Sequence, residues 1–448
     1  MTDTAKTVPE EAKKYEGSAV RQQPVSEFDL RDNVIENLDG KRGIAHSGGV
    51  FRRYGDGVWN NVNDLEVEQA VAREMEMAAV VAAIRPTYSM QRSITNAIKS
   101  KTYVREDQWN GQPHILVFKN CVLDTERMET LDHSPEYRST MALPYAYDPD
   151  ATAPTWERVI QEVLPDDDVR SFFQEWAGYC LTTDVKHHVT LWLVGPPGGG
   201  KSTLIAGMEA MLGDVLNGTL GLSQLQGSGS RFALSNVPGK SLLTCTENPR
   251  QHIKATDILN ALITGDTITV ERKNRDPFDY RNKAKLMWAM NTLPGLYDAN
   301  NGLFRRVKIM DIPSLPNGKR DPDVMERVRI EGPGILNWAV EGLARLNNRR
   351  HFAYPTAIQD ATQRFRKEND LAGMFLEERC ERPKAEHYDP KEYKVYAAQL
   401  TEAFNEWSQT HGHGHRSTKS LAPEWERLGL MKGARETKGI PYYGIKLT

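Results

Sequence analysis

The strongest constraint on the fold of this 448-residue chain is a glycine-rich segment that follows an apolar run. Residues 189–194 read Val-Thr-Leu-Trp-Leu-Val, and residues 195–202 read Gly-Pro-Pro-Gly-Gly-Gly-Lys-Ser. The second segment matches G-x-x-x-x-G-K-[ST], in which glycines let successive backbone N–H groups turn toward phosphates. The apolar run predicts a buried strand, and the periodic stretch 203–212 predicts a helix, which is the context this pattern requires. We therefore predict a nucleotide-binding α/β domain, against the alternative of a plain glycine turn.

The residues of this segment have distinct predicted roles. The ammonium of Lys201 is expected to reach the β- and γ-phosphates, and the Ser202 hydroxyl is a candidate Mg²⁺ ligand. The implied ligands are ATP and Mg²⁺. The predicted nucleotide contacts are Gly195, Pro196, Pro197, Gly198, Gly199, Gly200, Lys201, Ser202 and Thr203.

Two polar residues follow further apolar runs. Glu247 comes after the run 241–245, and Asn291 comes directly after the run 285–290. We predict that Glu247 holds Mg²⁺ through water and orients the attacking water, and that Asn291 contacts the γ-phosphate or that water. For each residue the alternative is an ordinary turn at the end of a strand.

Two arginines precede another apolar run. Arg305 and Arg306 stand just before 307–312, where either could stabilise the charge of a transferred phosphoryl group. A surface salt bridge is the alternative for this pair.

Basic residues cluster between two strand-like stretches. Arg272, Lys273 and Arg275 would lie at the tip of a hairpin, and Arg281, Lys283 and Lys285 follow. Copies of such a tip around a pore would form a positive ring that tracks a nucleic-acid backbone without reading its sequence. Taken alone, the run favours a solvated surface hairpin instead.

Strand-like runs alternate with helical patterns across the middle of the chain, which predicts a parallel sheet with crossover helices. Before it we expect an α+β region, and after it a small domain with two helices and a strand-like end. The last 38 residues carry seven Lys or Arg against three Glu. The predicted domains are a flexible arm 1–40, an α+β domain 41–150, the nucleotide-binding domain 151–350, a linker 351–390 and a terminal domain 391–448.

The composition of the chain excludes several classes of protein. The longest apolar run, 77–84, is eight residues long, whereas a membrane-spanning helix needs about 20. Residues 1–24 are polar and lack the pattern of a secretory signal. The four cysteines are widely separated, which excludes a disulfide framework and a zinc ribbon and favours the cytoplasm. The net charge of -3 does not by itself favour a nucleic-acid partner.

The order of these motifs resembles that of superfamily 3 helicases, most of all the helicase part of phage and plasmid primase-helicases, a group with poxvirus-type relatives. The resemblance is good over about 155–345 and weaker over about 45–155. Its motifs are the glycine loop, Leu-Leu-Thr-Cys-Thr-Glu at 242–247, the segment 263–278, Met-Asn-Thr-Leu-Pro at 290–294 and Phe-Arg-Arg at 304–306.

The resemblance implies an AAA+-like P-loop ATPase core that assembles as a homo-oligomeric ring, usually a hexamer. Such a ring translocates on single-stranded DNA and unwinds forked duplex in the 3′-to-5′ direction during phage, plasmid or mobile-element replication, here in the host cytoplasm. Asn291 matches the family's polar sensor. Arg306 or Arg305 matches the arginine finger, which the neighbouring subunit supplies to each ATP site. The segment 267–278 matches the pore hairpin. A winged helix is a common C-terminal partner of this helicase type and suits 391–448.

The chain departs from the family pattern at two positions. A second acidic residue often found two positions after the first carboxylate is Pro249 here, and a lysine often found before Thr-Gly-Asp is Asn260. With the first change, Glu247 is expected to serve both the metal ion and the attacking water. No acidic pattern of a priming site precedes residue 150, so a separate primase or polymerase is the expected partner.

Two other functions stay open. The chain could be an origin-binding initiator that uses ATP to assemble and melt duplex DNA with little processive unwinding. It could also be a chaperone-like AAA+ ATPase, although such pores use an aromatic tip where this one reads Arg-Lys-Asn-Arg over 272–275.

Overall fold

The computed structural model describes residues 25–39, 43–82, 84–226, 230–248, 252–253, 256–271, 273, 277–296, 301–315, 321–383 and 389–448. The chain forms two compact units. The first contains the described residues within 1–249, 257–292 and 312–355, and the second contains those within 250–256, 293–311 and 356–448. Across the described ranges, the helices are too short or too polar to span a membrane.

The N-terminal region is an α+β arrangement, as predicted. Two three-stranded antiparallel sheets, β1-β2-β3 and β4-β5-β6, accompany three helices. The helices pack with the first sheet around a core that includes Leu30, Val71 and Ile98. The elements are α1 (Glu27–Asp39), β1 (Ile44–Ser47), β2 (Val50–Gly55), β3 (Val58–Val62), α2 (Asp64–Ala82), α3 (Tyr88–Lys101), β4 (Ile115–Val117), β5 (Val122–Asp124) and β6 (Glu129–Leu131).

The middle of the chain alternates strands and helices. Its elements are α4 (Pro154–Val163), α5 (Asp167–Leu181), β7 (Thr190–Val194), α6 (Lys201–Leu216), β8 (Asn217–Thr219), α7 (Ser230–Ala233), β9 (Leu242–Cys245), β10 (His252–Ile253), α8 (Asp257–Thr264), β11 (Thr267–Val270), β12 (Phe278–Arg281), β13 (Lys285–Met290), β14 (Gly295–Leu296), α9 (Asn301–Arg306), β15 (Val307–Asp311), α10 (Val324–Ile330) and α11 (Gly332–Arg349).

A five-stranded parallel sheet in the order β15-β7-β13-β9-β8 organises these elements. All six residues of β13 are buried, which is typical of a central strand covered on both faces. Its neighbour β7 contributes Leu191, Trp192 and Leu193, all fully buried. The predicted parallel sheet is therefore confirmed.

Helices α5 and α11 approach each other through glycines. A Cβ atom added at Gly178 would lie 2.5 Å from the Ala339 carbonyl oxygen, and one at Gly342 would lie 2.2 Å from the Gln174 carbonyl oxygen. Real Cβ contacts with backbone do not come so close, so the two helix backbones touch where side chains would otherwise separate them.

The C-terminal residues form helices and short strands around their own core, which includes Phe375, Phe404, Trp407 and Trp425. Strands β17 and β18 both pair with β19 in antiparallel fashion. The elements are α12 (Thr356–Glu368), α13 (Leu371–Arg379), β16 (Cys380–Glu381), β17 (Lys394–Tyr396), α14 (Ala397–Thr410), α15 (Thr418–Arg427), β18 (Met431–Lys432), β19 (Pro441–Tyr443) and β20 (Lys446–Leu447).

Two predicted segments differ from the structure. Residues 27–39 of the predicted arm 1–40 form α1, because Leu30 and Val34 make an i, i+4 apolar pair that is buried within a polar composition. The predicted linker 351–390 contains α12 and α13. Ile358, Ala361 and Phe365 have the i, i+3, i+7 spacing of a buried helix face, which the surrounding charged residues conceal.

Lys285 is a charged residue in the most buried strand. Its Nζ donates to the Thr182 carbonyl oxygen at 2.5 Å and to the Thr182 hydroxyl at 3.1 Å, and it lies 4.6 Å from the centre of the Tyr179 ring. Burial lowers the pKa of Lys285 to about 8. Lys285, counted in the basic cluster from the sequence, is therefore an interior residue, because the strand register turns this side chain inward.

We expect Gly178→Ala to lower the free energy of unfolding by about 1–3 kcal/mol, because the new methyl group must separate two backbones. Thermal and urea unfolding measure the change. Gly55→Ala is the control, since a Cβ there meets nothing within 4 Å. Equal stability of the two variants would contradict the close helix contact.

Stability should rise with pH above 8 because of Lys285. Its folded-state pKa of about 8 lies below the ordinary value near 10.4, so between these limits the unfolded chain binds more protons. Below pH 8 both states are protonated and this contribution stays constant. From pH 8 to pH 10 the wild-type chain should gain about 2–3 kcal/mol relative to Lys285→Met, by urea unfolding. Parallel pH profiles of the two proteins would contradict the assignment.

Candidate functional site

The glycine-rich segment forms a tight loop between β7 and α6. Gly200 precedes the helix with φ of 96°, a left-handed conformation that glycine adopts without strain. A Cβ at Gly195 would lie 2.2 Å from the Ile312 carbonyl oxygen. The loop is therefore pressed against the chain at residue 312, and both positions require glycine.

Lys201 is the first residue of α6 and is folded back over the loop. Its Nζ donates to the carbonyl oxygens of Gly195 at 2.6 Å and Pro196 at 2.8 Å, and to Oδ1 of Asn291 at 3.1 Å. The side chain is largely buried, and burial lowers the pKa of this ammonium. Lys201 thus has three oxygen partners around one cationic group.

Asn291 reaches Lys201 because of the sheet register. β13 pairs with β7 in parallel, and Met290 lies opposite Val194. The residue after β13 and the loop after β7 therefore leave the sheet at the same edge. The structure brings together these two residues, which lie 90 positions apart in sequence.

A cavity of about 1080 Å³ opens at this edge. This volume is slightly above the range of about 300–1,000 Å³ that is common for small-molecule sites. Glu247, two residues after β9, lines it with an exposed carboxylate. The loop residues Gly195, Pro196 and Gly199 do not line it. The other predicted residues on its wall are Pro197, Gly198, Gly200, Lys201, Ser202, Thr203 and Asn291.

Another part of the cavity wall was not predicted. It contains an ion pair in which Arg158 Nη2 lies 3.6 Å from Asp321 Oδ2, and Arg327 also pairs with Asp321. Apolar side chains complete this wall: Val159, Val163, Leu315, Val324 and Met325. No motif marks these residues, and the i, i+4 spacing of Val159 and Val163 signals only a helix with one apolar face.

Arg305 and Arg306 end α9, immediately before β15. Arg305 is exposed and Arg306 is half-buried. The carbonyl oxygen of Arg305 accepts a hydrogen bond from Lys308 Nζ at 2.7 Å. Both arginines belong to the second unit, whereas the residues that line the cavity belong to the first.

The predicted hairpin is present. β11 pairs with β12 in antiparallel fashion, with Thr267 opposite Arg281 and Val270 opposite Phe278. Lys273 lies in the connecting turn and is exposed, and Arg281 is exposed on β12. Arg272 and Arg275 fall outside the described residues, as does Pro249 of the carboxylate motif.

The basic run ends sooner than predicted. Lys283 is half-buried and donates to two backbone carbonyls, and burial lowers its pKa to about 8. Its ammonium is bonded to the N-terminal region, and Lys285 lies in the interior of the first unit. The exposed described cations of this stretch are Lys273 and Arg281.

Asn260, where the family often has lysine, lies within α8. Its carbonyl oxygen accepts a hydrogen bond from the Thr264 hydroxyl at 2.9 Å.

Two family models match the chain. One is described as D5 N terminal like and matches residues 32–165. The other is a family of unknown function (DUF5906) and matches residues 193–306. The first covers the N-terminal α+β region, and the second covers the glycine loop, the hairpin and both arginines.

Two viral proteins are similar in sequence, and each is named a candidate helicase. The protein of Acanthamoeba polyphaga mimivirus is 22% identical over 293 residues, which is 59% of this chain and 30% of that protein. The protein of Invertebrate iridescent virus 3 is 22% identical over 320 residues, which is 61% of this chain and 33% of that protein. This chain thus spans about a third of the length of these relatives.

A solved apo structure of the NrS-1 C-terminal region has a similar fold. It aligns with a TM-score of 0.51 at 11% identity and covers 93% of this chain and 98% of that chain. The sequence and structure comparisons agree with the family to which the motif order pointed.

Proposed function

We propose that this chain, which is of the phage and viral primase-helicase type of superfamily 3, is an ATP-driven helicase acting in DNA replication. Its core would be an AAA+-like P-loop ATPase. The observation that carries the proposal is the hydrogen bond between Lys201 and Asn291 at the mouth of the glycine loop. It places the ammonium expected on the phosphates beside the amide expected to sense them.

The loop and its surroundings fit a nucleotide with Mg²⁺. The positive φ angles at Gly198 and Gly200 belong to a backbone cradle of the kind that binds phosphate. Lys201 has carbonyl and amide oxygens as partners, which phosphate oxygens can replace. The Ser202 hydroxyl and the Glu247 carboxylate are the oxygen ligands, direct or through water, that Mg²⁺ prefers. When bound, this ion neutralises charge on the β- and γ-phosphates.

Each residue then has a task of its own. Lys201 holds the phosphates, Glu247 orients the attacking water, and Asn291 reports the presence of the γ-phosphate to β13. The apolar wall of Val159, Val163 and Met325 suits the base and ribose. Arg306 or Arg305 of a neighbouring subunit would stabilise the transferred charge, which is consistent with their place outside the cavity wall.

The hairpin β11–β12 supports a DNA path. Lys273 is exposed in its turn, where a cation on each subunit of a hexameric ring would contact the backbone of single-stranded DNA. The proposed partners are single-stranded and forked DNA, further copies of this chain, and a separate primase or polymerase.

The C-terminal elements favour a second candidate function. The order β17, α14, α15, β18, β19 suits a winged helix, and Lys432, Arg435 and Lys438 are exposed on or beside its last hairpin. An origin-binding initiator would use such a domain to select one duplex sequence. Binding to random duplex as tight as binding to any origin fragment would count against the initiator.

The ATPase rate with and without single-stranded DNA tests the main proposal, with the mass in solution measured in parallel. Strong stimulation in a ring-sized assembly supports the helicase. A stable monomer, or turnover that single strands do not change, would favour the initiator.

Lys201→Ala should reduce ATP turnover by about 100-fold or more, because one positioned charge on the phosphates is lost. Steady-state phosphate release measures the effect. Lys119→Ala, at an exposed lysine that does not line the cavity, should behave as wild type. Persistent turnover in Lys201→Ala would remove this cavity as the ATPase site.

Lys273→Ala should leave basal turnover nearly unchanged and remove most of its stimulation by single-stranded DNA. Because a phosphate contact releases counterions, the slope of log affinity against log salt should also fall by about 1. Fluorescence titration with a labelled oligonucleotide at several salt concentrations gives this slope. An unchanged slope and unchanged stimulation would place the DNA path elsewhere.

A further inference from the structure

The short connection between β12 and β13 is bonded to the N-terminal α+β region. Lys283 Nζ donates to the carbonyl oxygen of Trp109 at 2.6 Å and to that of Asn110 at 2.7 Å. Both acceptors lie between α3 and β4, in the segment matched by the D5 N terminal like model. One side chain therefore joins the exit of the hairpin to a region far earlier in the sequence.

Further contacts fix the positions of the two acceptor carbonyls. Asn110 has φ of 50°, a left-handed conformation that asparagine tolerates, and its carbonyl also accepts from the Thr183 hydroxyl at 2.8 Å. Trp109 is buried and stacks edge-on against Trp59 at 5.4 Å. The carbonyls that receive the ammonium are thus held from several sides.

The connection is also fixed to the sheet domain. Asn282 is buried, and its Nδ2 donates to the carbonyl oxygens of Leu262 and Ala284, both at 2.7 Å. Lys285 is bonded to Thr182 at the end of α5. The four residues 282–285 therefore contact α8, the end of α5 and the N-terminal region.

β13 links this joint to the cavity. The strand begins at Lys285, ends at Met290 and is followed by Asn291, whose side chain bonds Lys201. It is buried throughout and paired on both sides, so it is a stiff element with the hairpin exit at one end and the candidate site at the other.

We propose that Lys283 is a positioning residue that couples the N-terminal α+β region to the β11–β12 hairpin and, through β13, to the response of the ATPase site to DNA. The activity part of this inference rests on the proposed function. The mechanical part, that Lys283 holds the hairpin to residues 109–110, does not.

The test compares Lys283→Met, Lys283→Arg and the control Lys101→Met with wild type. Lys101 lies in the same region, on α3, and bonds Asp32 at 2.6 Å instead of the hairpin. Hydrogen exchange followed by mass spectrometry reports on 105–111 and 267–283. In Lys283→Met we expect exchange in both segments to accelerate by about tenfold or more, because a charge-assisted joint is lost.

The activity measurements separate positioning from general damage. In Lys283→Met the basal kcat and the KM for ATP should stay within about twofold of wild type, while stimulation by single-stranded DNA falls by about fivefold or more. Lys283→Arg should recover part of the stimulation, since guanidinium can also donate to two carbonyls. Lys101→Met should match wild type in both measurements.

Several results would overturn the inference. These are unchanged exchange in both segments, a basal rate that falls as much as the stimulated rate, or an arginine variant as defective as the methionine variant. If wild type itself shows no stimulation, the proposed function fails, and the exchange comparison alone decides whether Lys283 holds the joint. Should Lys283→Met not fold, Thr183→Val tests the same carbonyl and should shift exchange in the same direction by a smaller factor.

Discussion

The parallel pairing of β13 with β7 determines what can meet at the edge of the sheet. In this register Met290 lies opposite Val194, so the chain leaves both strands at the same level. One exit becomes the glycine loop and the other presents Asn291. Lys201 lies between these two exits because α6 starts where the glycine loop ends. The first turn of α6 faces the cavity. A shift of one residue would turn Asn291 to the other face of the sheet.

The environment of the lysine at the cavity differs from that of the two lysines near residue 284. Lys201 is buried beside an opening and is surrounded by oxygens that a phosphate can displace. Lys283 is half-buried and Lys285 is buried; both donate to backbone carbonyls, and neither lines the cavity. The hydrogen bonds of the three lysines differ little in length. What distinguishes a binding residue from one that holds segments together is therefore whether a ligand in the cavity can reach its ammonium.

Much of the sheet could be predicted from sequence because β7, β9, β13 and β15 are short apolar runs bounded by turns. The loop was recognisable because its glycines are required by backbone geometry. The wall formed by Arg158, Asp321 and the apolar side chains could not be foreseen, since its members come from segments about 160 residues apart and carry no motif.

The polar segments were harder to interpret for a different reason. α1 and α12 bury narrow stripes, Leu30 with Val34 and Ile358 with Phe365, so their average composition indicates a tail or a linker. The inward turn of Lys283 depends on carbonyls supplied by residues 109–110, and no local pattern around residue 283 reveals them.

The glycine contact between α5 and α11 has a mechanical consequence. Where helices meet through side chains, rotamer changes let them slide or rotate slightly at low cost. At Gly178 and Gly342 there is no χ angle to change, and the opposing surface is backbone. We therefore expect the two helices to move together, so that a displacement at the end of α5 also shifts α11.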